Sequence, residues 1–143
     1  EKVYNAFVYG VLKEQSGVID MPIGKSNKDF RLWSAERGAK GDLREAVTEY
    51  TVLQQGRDAA FVEVRPKTGR THQIRVHAQH AGCPLAGDEK YGIDDDNRQL
   101  KTLGLKRMFL HAASLQFRSP EGKKISVEAP LPEELAQVLN KLP

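Results

Sequence analysis

Apolar and polar positions along the chain first predict strands. Val3 to Leu12 is rich in β-branched and aromatic residues and predicts a strand. Val18 to Ile23 predicts a short second one, stopped by Pro22 and Gly24. Lys25 to Asp42 is polar, holds Gly38 and Gly41, and reads as a long exposed loop. From Ala46 to Leu53 the chain alternates, with Val47, Glu49, Thr51 and Leu53 on one side and Thr48, Tyr50 and Val52 on the other. Ala59 to Val64 alternates more cleanly, with Ala59 and Phe61 opposite Val62 and Val64. Gln54 to Asp58, with Gly56, joins these two as an antiparallel hairpin.

The period then changes. Ile74, Ala78 and Ala81 fall at i, i+4 and i+7 and predict a helix from Thr71 to Ala81. Thr68 or Thr71 can cap its start, Gly82 sits where a helix-ending glycine belongs, and Pro84 follows. Asp94 to Leu103 reads as a weak helix. Met108 to Phe117 has strand character, with Phe109, His111, Ala113, Leu115 and Phe117 on one face. Lys124 to Glu128 pairs with it through the Ser119 to Gly122 turn. Pro132 to Leu142 is a closing amphipathic helix with Leu135, Val138, Leu139 and Leu142 inward. Mostly antiparallel strands with a few helices make an α+β fold.

Length bounds this picture, because 143 residues make one domain or part of one. No apolar run approaches the roughly 20 residues of a membrane helix, so no membrane partner is expected. The single cysteine excludes an internal disulfide and fits a reducing compartment, so the expected location is cytoplasmic. The opening Glu1-Lys2-Val3-Tyr4 is neither a signal peptide nor an initiator Met, and suggests a fragment. The net charge of +3 names no partner, but its distribution is informative. Val64 to Gly87 holds Arg65, Lys67, Arg70, Arg75 and three histidines and no Asp or Glu. Such a local cationic field suits phosphates, and an ordinary solvated face would look the same.

The sharpest cluster runs from Gly69 to His77. On a helix, His72, Arg75 and Gln79 lie away from the Ile74 stripe. A guanidinium fixed there can hold a carboxylate or phosphate with two hydrogen bonds, and the amides of the Thr-Gly-Arg-Thr start can favour an anion. The competing reading is a plain polar helix surface. His77, His80 and Cys83 sit close together, yet Gly82 and Pro84 end the helix where a fourth metal ligand is needed, so no metal is expected. A Cys83–His111 nucleophile pair has no local support. Tyr4 and Tyr91 are either packing residues or stacking platforms for a base. Trp33, in a basic loop with Lys28, Arg31 and Arg37, either touches RNA or pins the loop.

The thirteen residues Arg65-Pro66-Lys67-Thr68-Gly69-Arg70-Thr71-His72-Gln73-Ile74-Arg75-Val76-His77 closely resemble the signature of the RluA-like pseudouridine synthases. Further segments fit in the family's order. Lys2-Val3-Tyr4-Asn5-Ala6 resembles the Lys-x-Tyr strand, and Ala46-Val47-Thr48-Glu49-Tyr50 the Thr-x-Tyr strand. Leu85-Ala86-Gly87-Asp88-Glu89-Lys90-Tyr91-Gly92 resembles the motif after the signature. Leu110-His111-Ala112 and Glu128-Ala129-Pro130-Leu131-Pro132 resemble the closing strands. One departure is large. The family's catalytic aspartate lies in His-Arg-Leu-Asp-x-x-Thr-Ser-Gly, upstream of the Lys-x-Tyr strand, and this sequence has no such motif. Phe30-Arg31-Leu32-Trp33 lacks the acid. Residues 1–143 are therefore expected to be the C-terminal part of one catalytic domain, inactive alone.

The resemblance implies an RNA enzyme that isomerises uridine to pseudouridine in ribosomal or transfer RNA. It breaks the N1–C1′ bond, turns the base and rejoins it through C5, on a flipped nucleotide and with no cofactor. It places Tyr4 against the flipped base, with a part in proton transfer. Arg75 would pair with the absent aspartate, and Ile74 and Leu85 would line or support the pocket. Lys67, Arg70, His72, Lys28 and Arg31 would meet the RNA. It leaves room for an N-terminal RNA-binding domain in a parent chain. The alternative from another class is a catalytically dead RNA-binding protein with the same fold.

Overall fold

The structure, a computed structural model, describes residues 2–26, 32–35, 39–105 and 107–141. Its strands are β1 (Lys2–Tyr9), β2 (Ser16–Asp20), β3 (Ile23–Ser26), β4 (Trp33–Ala35), β5 (Ala39–Arg44), β6 (Val47–Gln55), β7 (Ala59–Pro66), β8 (Leu110–Arg118) and β9 (Lys124–Glu128). Its helices are α1 (Gln73–His80), α2 (Asp94–Thr102) and α3 (Glu133–Lys141). Six strands form one sheet in the order β2-β6-β7-β1-β8-β9, and three form a smaller sheet in the order β4-β3-β5. All these pairings are antiparallel, in line with the mostly antiparallel α+β fold expected.

The large sheet is buried on both faces at its centre, which explains why Ala6, Phe7 and Val8 are all buried in succession. On one face Ala6, Val8, Val62 and Val64 meet Ile74 of α1 with Cys83 and Leu85. On the other, Phe7, Ala59 and Phe109 meet Leu100 of α2 and Leu135 and Val138 of α3. The alternation of β7 therefore separates two cores, with Val62 and Val64 in the first and Ala59 and Phe61 in the second. The hairpin between β6 and β7 forms as expected, with Val52 opposite Val62. The outer part of β8 is less covered, since Leu115 and Phe117 are exposed while Phe109, just before the strand, is fully buried.

Three expectations change. The second strand is two strands, broken at Met21 and Pro22, where proline has no N–H to give a ladder. The expected loop over 25–42 contains β4, the second half of β3 and most of β5. Its polar composition hid them because the small sheet buries only Ile23 and Ala35 among its described side chains, with Ala46, Val76 and Tyr91 beneath it. Helix α1 starts at Gln73, not Thr71, and its N-cap is His72 in the left-handed region (φ 55°) with no side-chain cap. Its buried set also differs. Gln73, Ile74, Val76 and His77 are buried and Ala81 is exposed, because α1 is wedged between the two sheets and needs two apolar sides.

The helix end follows the sequence. Gly82 takes φ 78°, its N–H bonds the Gln79 carbonyl at 2.9 Å, and the Cys83 N–H reaches the Ala78 carbonyl at 3.0 Å. This glycine-terminated ending satisfies carbonyls that the helix leaves open. Helix α3 also forms, and Leu142 lies outside the described residues.

Candidate functional site

The start of α1 is held by a buried amide. Gln73 is almost wholly buried, yet every hydrogen-bonding site of its side chain is used. Its Oε1 accepts from the Thr68 hydroxyl at 2.6 Å and the Arg70 N–H at 3.1 Å. Its Nε2 donates to the Val47 carbonyl at 2.9 Å and to Thr48 Oγ1 at 3.0 Å. Thr68 Oγ1 in turn accepts from the Val47 N–H, so neither Thr68 nor Thr71 caps the helix. The Arg70 amide is also spent inside the loop and is not open to an anion.

His77 extends this network one turn on. Its Nε2 faces the Met21 carbonyl at 2.9 Å, which can only accept, so Nε2 carries the proton. Its Nδ1 then accepts from Thr48 Oγ1 at 2.8 Å. Burial lowers the pKa of His77 below the ordinary imidazole value, so the ring is neutral near pH 7. Both ring nitrogens are thus committed to structure rather than to a metal. Cys83 is buried in the first core, where burial pushes its thiol pKa up, and His111 Nε2 donates to the Ala129 carbonyl. Neither geometry supports a nucleophilic pair.

Arg75 leaves α1 on the open side. Its Nε and Nη2 donate to the two oxygens of Asp88 at 2.9 and 2.8 Å, a paired fork on a carboxylate with no exposed side-chain surface. Asp88 Oδ1 also accepts from the Lys90 and Tyr91 amides. Burial works against the Asp88 charge, but the Arg75 fork and these amides outweigh it and hold its pKa below the usual carboxylate range. The Arg75 guanidinium lies 5.0 Å from the centre of the Tyr91 ring. Sequence reasoning missed Asp88 as this partner. The available signal was its place as the first acid after the acid-free stretch from Val64 to Gly87.

These residues border an open cleft of about 240 Å³, lined by Lys2 and Tyr4 of β1, Pro66, Thr68, Gly69, Arg70, His72, Gln73, Ile74, Arg75 and Leu110. Five expected site residues, Tyr4, Arg70, His72, Ile74 and Arg75, therefore come together in space. Leu85 does not line the cleft. It is fully buried in the core that also holds Ile74, so it supports the wall from behind. Lys67 lies outside the lining and pairs with Glu49 at 3.3 Å. Lys28 and Arg31 lie outside the described residues. A second groove adjoins, bordered by Ile23, Lys25, Trp33, Asp42, Arg44, Gly69, Arg70 and Thr71. Gly69 and Arg70 line both hollows. The Lys25 ammonium sits 4.2 Å from the centre of the Trp33 ring, so the indole anchors the small sheet and its cation together.

A family model described as RNA pseudouridylate synthase matches residues 1–80. The chain is 41% identical over 140 residues to an uncharacterized RNA pseudouridine synthase of Bacillus subtilis, YlyB, covering 97% of this chain and 43% of that protein. It is 39% identical over 142 residues to ribosomal large subunit pseudouridine synthase C of Yersinia pestis, again covering 97% of this chain and 43% of the relative. Among solved structures, human RNA pseudouridylate synthase domain containing 1 superposes with a TM-score of 0.78 at 29% identity, over 90% of this chain and 54% of that one. The chain thus spans less than half the length of these two curated relatives.

Proposed function

The chain belongs to the RNA pseudouridylate synthase family, and on that premise we propose that its cleft is the uridine-binding side of an active site that isomerises uridine to pseudouridine in RNA. The observation that carries this reading is the convergence of Tyr4, Ile74 and Arg75 on one cleft, from a strand and a helix that lie far apart in sequence. Tyr4 and Ile74 supply apolar surface for a flipped base, and Arg75 supplies a cation on a rigid helix. The reaction is balanced within the nucleotide. The N1–C1′ bond breaks, a C5–C1′ bond forms, C5 loses a proton and N1 gains one. Tyr4, which lines the cleft, takes part in that proton transfer.

No aspartate of this sequence stands in the family's Arg-Leu-Asp motif. We propose that the nucleophile comes from a segment outside these 143 residues, which make the C-terminal part of the catalytic domain. Arg75 spends two N–H groups on Asp88, and its remaining donors are available to that incoming carboxylate. Asp88 thus orients Arg75, and Arg75 orients the nucleophile. The substrate class is ribosomal or transfer RNA. The relatives named for the large ribosomal subunit favour the first. Cytoplasmic location suits both the substrate and a free, buried Cys83.

The test is tritium release from RNA carrying 5-tritiated uridine. The full-length protein should release tritium stoichiometrically with pseudouridine, and the 143-residue chain alone should release none. Tight RNA binding by the full-length protein with no release would favour the binding-only alternative.

A further inference from the structure

We propose that Tyr91 is a positioning residue that fixes His72 as a hydrogen-bond donor to an acceptor oxygen of the RNA in the cleft. The inference rests on the RNA-modifying reading above and deepens it at the same site.

The Tyr91 hydroxyl sets the direction of the network. Tyr91 is almost fully buried, and its oxygen has two neighbours, the Trp33 N–H at 3.0 Å and His72 Nδ1 at 2.8 Å. The Trp33 amide can only donate, so it occupies a lone pair of the oxygen. If His72 carried its proton on Nδ1, both neighbours would donate to the hydroxyl, and the buried Tyr91 proton would have no acceptor. A buried donor left in that state is strongly disfavoured. The consistent assignment runs Trp33 N–H to Tyr91 oxygen and Tyr91 O–H to His72 Nδ1. The neutral His72 ring then holds its proton on Nε2.

That second nitrogen is the one of interest. His72 lines the cleft beside Arg75 and Arg70, and Tyr91 does not. No buried side-chain nitrogen or oxygen among the described residues lacks a partner, so the Nε2–H, which has no acceptor among those residues, faces open space. The backbone is bent to this end. His72 is the one non-glycine residue with positive φ among the described residues, a conformation that its Cβ disfavours. The same geometry aims its ring at Tyr91, edge to face, with centroids 5.6 Å apart. Tyr91 is itself fixed from below, because its amide donates to Asp88 and its face meets Arg75. A neutral N–H beside two guanidiniums selects an oxygen acceptor, either a uracil carbonyl or a phosphate oxygen.

The experiment uses the full-length protein that carries this sequence. Nitrogen-15 spectra of the free protein should show His72 protonated at Nε2, with Nδ1 at the shift of a hydrogen-bonded acceptor. Tyr91→Phe keeps the ring and its packing and should abolish that acceptor shift. Tyr91→Phe and His72→Ala should each weaken RNA binding about three- to tenfold, as loss of one hydrogen bond does. The double variant should bind no worse than His72→Ala alone, because Tyr91 acts through His72. A thiocarbonyl uridine target or a methylphosphonate linkage should erase the His72→Ala penalty, whichever removes the acceptor. Protonation at Nδ1, additive losses in the double variant, or a penalty that survives both substrate changes overturns the proposal. Absence of any RNA binding by the unaltered protein overturns the reading beneath it, while the nitrogen spectra still decide the Tyr91–His72 geometry.

Discussion

Arg75 and Asp88 concentrate the chemistry of the site in one pair, and their burial decides what substitution does. Asp88 has no exposed side-chain surface, so Arg75→Ala leaves a carboxylate unpaired inside the protein. Breaking a buried pair in this way typically destabilises by about 3–5 kcal/mol. Arg75→Lys keeps the charge but loses the planar fork, and should destabilise less while still misaligning the pair. Urea unfolding of the three proteins checks the order. Catalysis should fall as well, by about a hundred- to a thousandfold for Arg75→Ala in single-turnover assays run well below its melting temperature. The pair also makes stability depend on pH. The folded pKa of Asp88 is depressed, so its contribution is complete above the ordinary carboxylate value of about 4 and is lost as pH falls through the folded value. Asp88→Asn should therefore unfold with a weaker dependence on pH in that acid range, measured by thermal melts across it.

At the scale of elements, α1 owes its place to polar contacts more than its length suggests. It has eight residues, too short to be stable alone, and Gln73 binds its first turn to β6 and to the loop before it. Gln73→Leu preserves bulk but strips partners from Thr68, Arg70 and Val47, and should cost about 1–3 kcal/mol for the buried groups left unsatisfied. Amide exchange in residues 68–76 should quicken more than in β1 or β7. The sequence made much of this element legible, because Ile74, Gly82 and Pro84 mark a helix and its end. It did not show the second buried side at Val76 and His77. That side exists because a sheet of polar residues lies over it, and a sheet that buries few side chains leaves no alternation to read. Tyr91 as an anchor and Asp88 as a partner were hidden for a different reason. Both act through contacts distant in sequence, which a periodicity of neighbours cannot encode. Tyr4, His72, Ile74 and Arg75 were legible because the signature places three of them on one helix start and the resemblance supplied the fourth.

Across the whole molecule, two hollows meet at Gly69 and Arg70, and the cations around them are not equivalent. Arg65 and Lys67 pair with Glu49, whereas Lys25, Arg44 and Arg70 border the groove beside the cleft. A strand of RNA entering the cleft across Arg70 would lay its phosphates along that groove. Replacing Lys25 and Arg44 with Ala in the full-length protein should lower the slope of log affinity against log salt by roughly 0.7–0.9 for each phosphate no longer neutralised. Lys67→Ala should change it less, and titrations at several salt concentrations separate the two. The small sheet that carries these cations is joined to α1 and its neighbours by hydrogen bonds to two side chains, His77 and Tyr91. Both are met by main chain, at the Met21 carbonyl in the link just before β3 and at the Trp33 N–H of β4. A carbonyl is present whatever residue occupies a position, and an N–H is present in all but proline. These two hydrogen bonds therefore demand particular side chains only on the helix side, while Ile23 and Ala35 hold the buried face of the sheet and its outer surface is left free to vary. In a library of all single substitutions, the hydrogen bond at position 21 should survive most replacements and the one at position 33 most replacements other than proline, while positions 77 and 91 accept few. Such an arrangement lets the surface beside the cleft be rewritten while the cleft itself is kept.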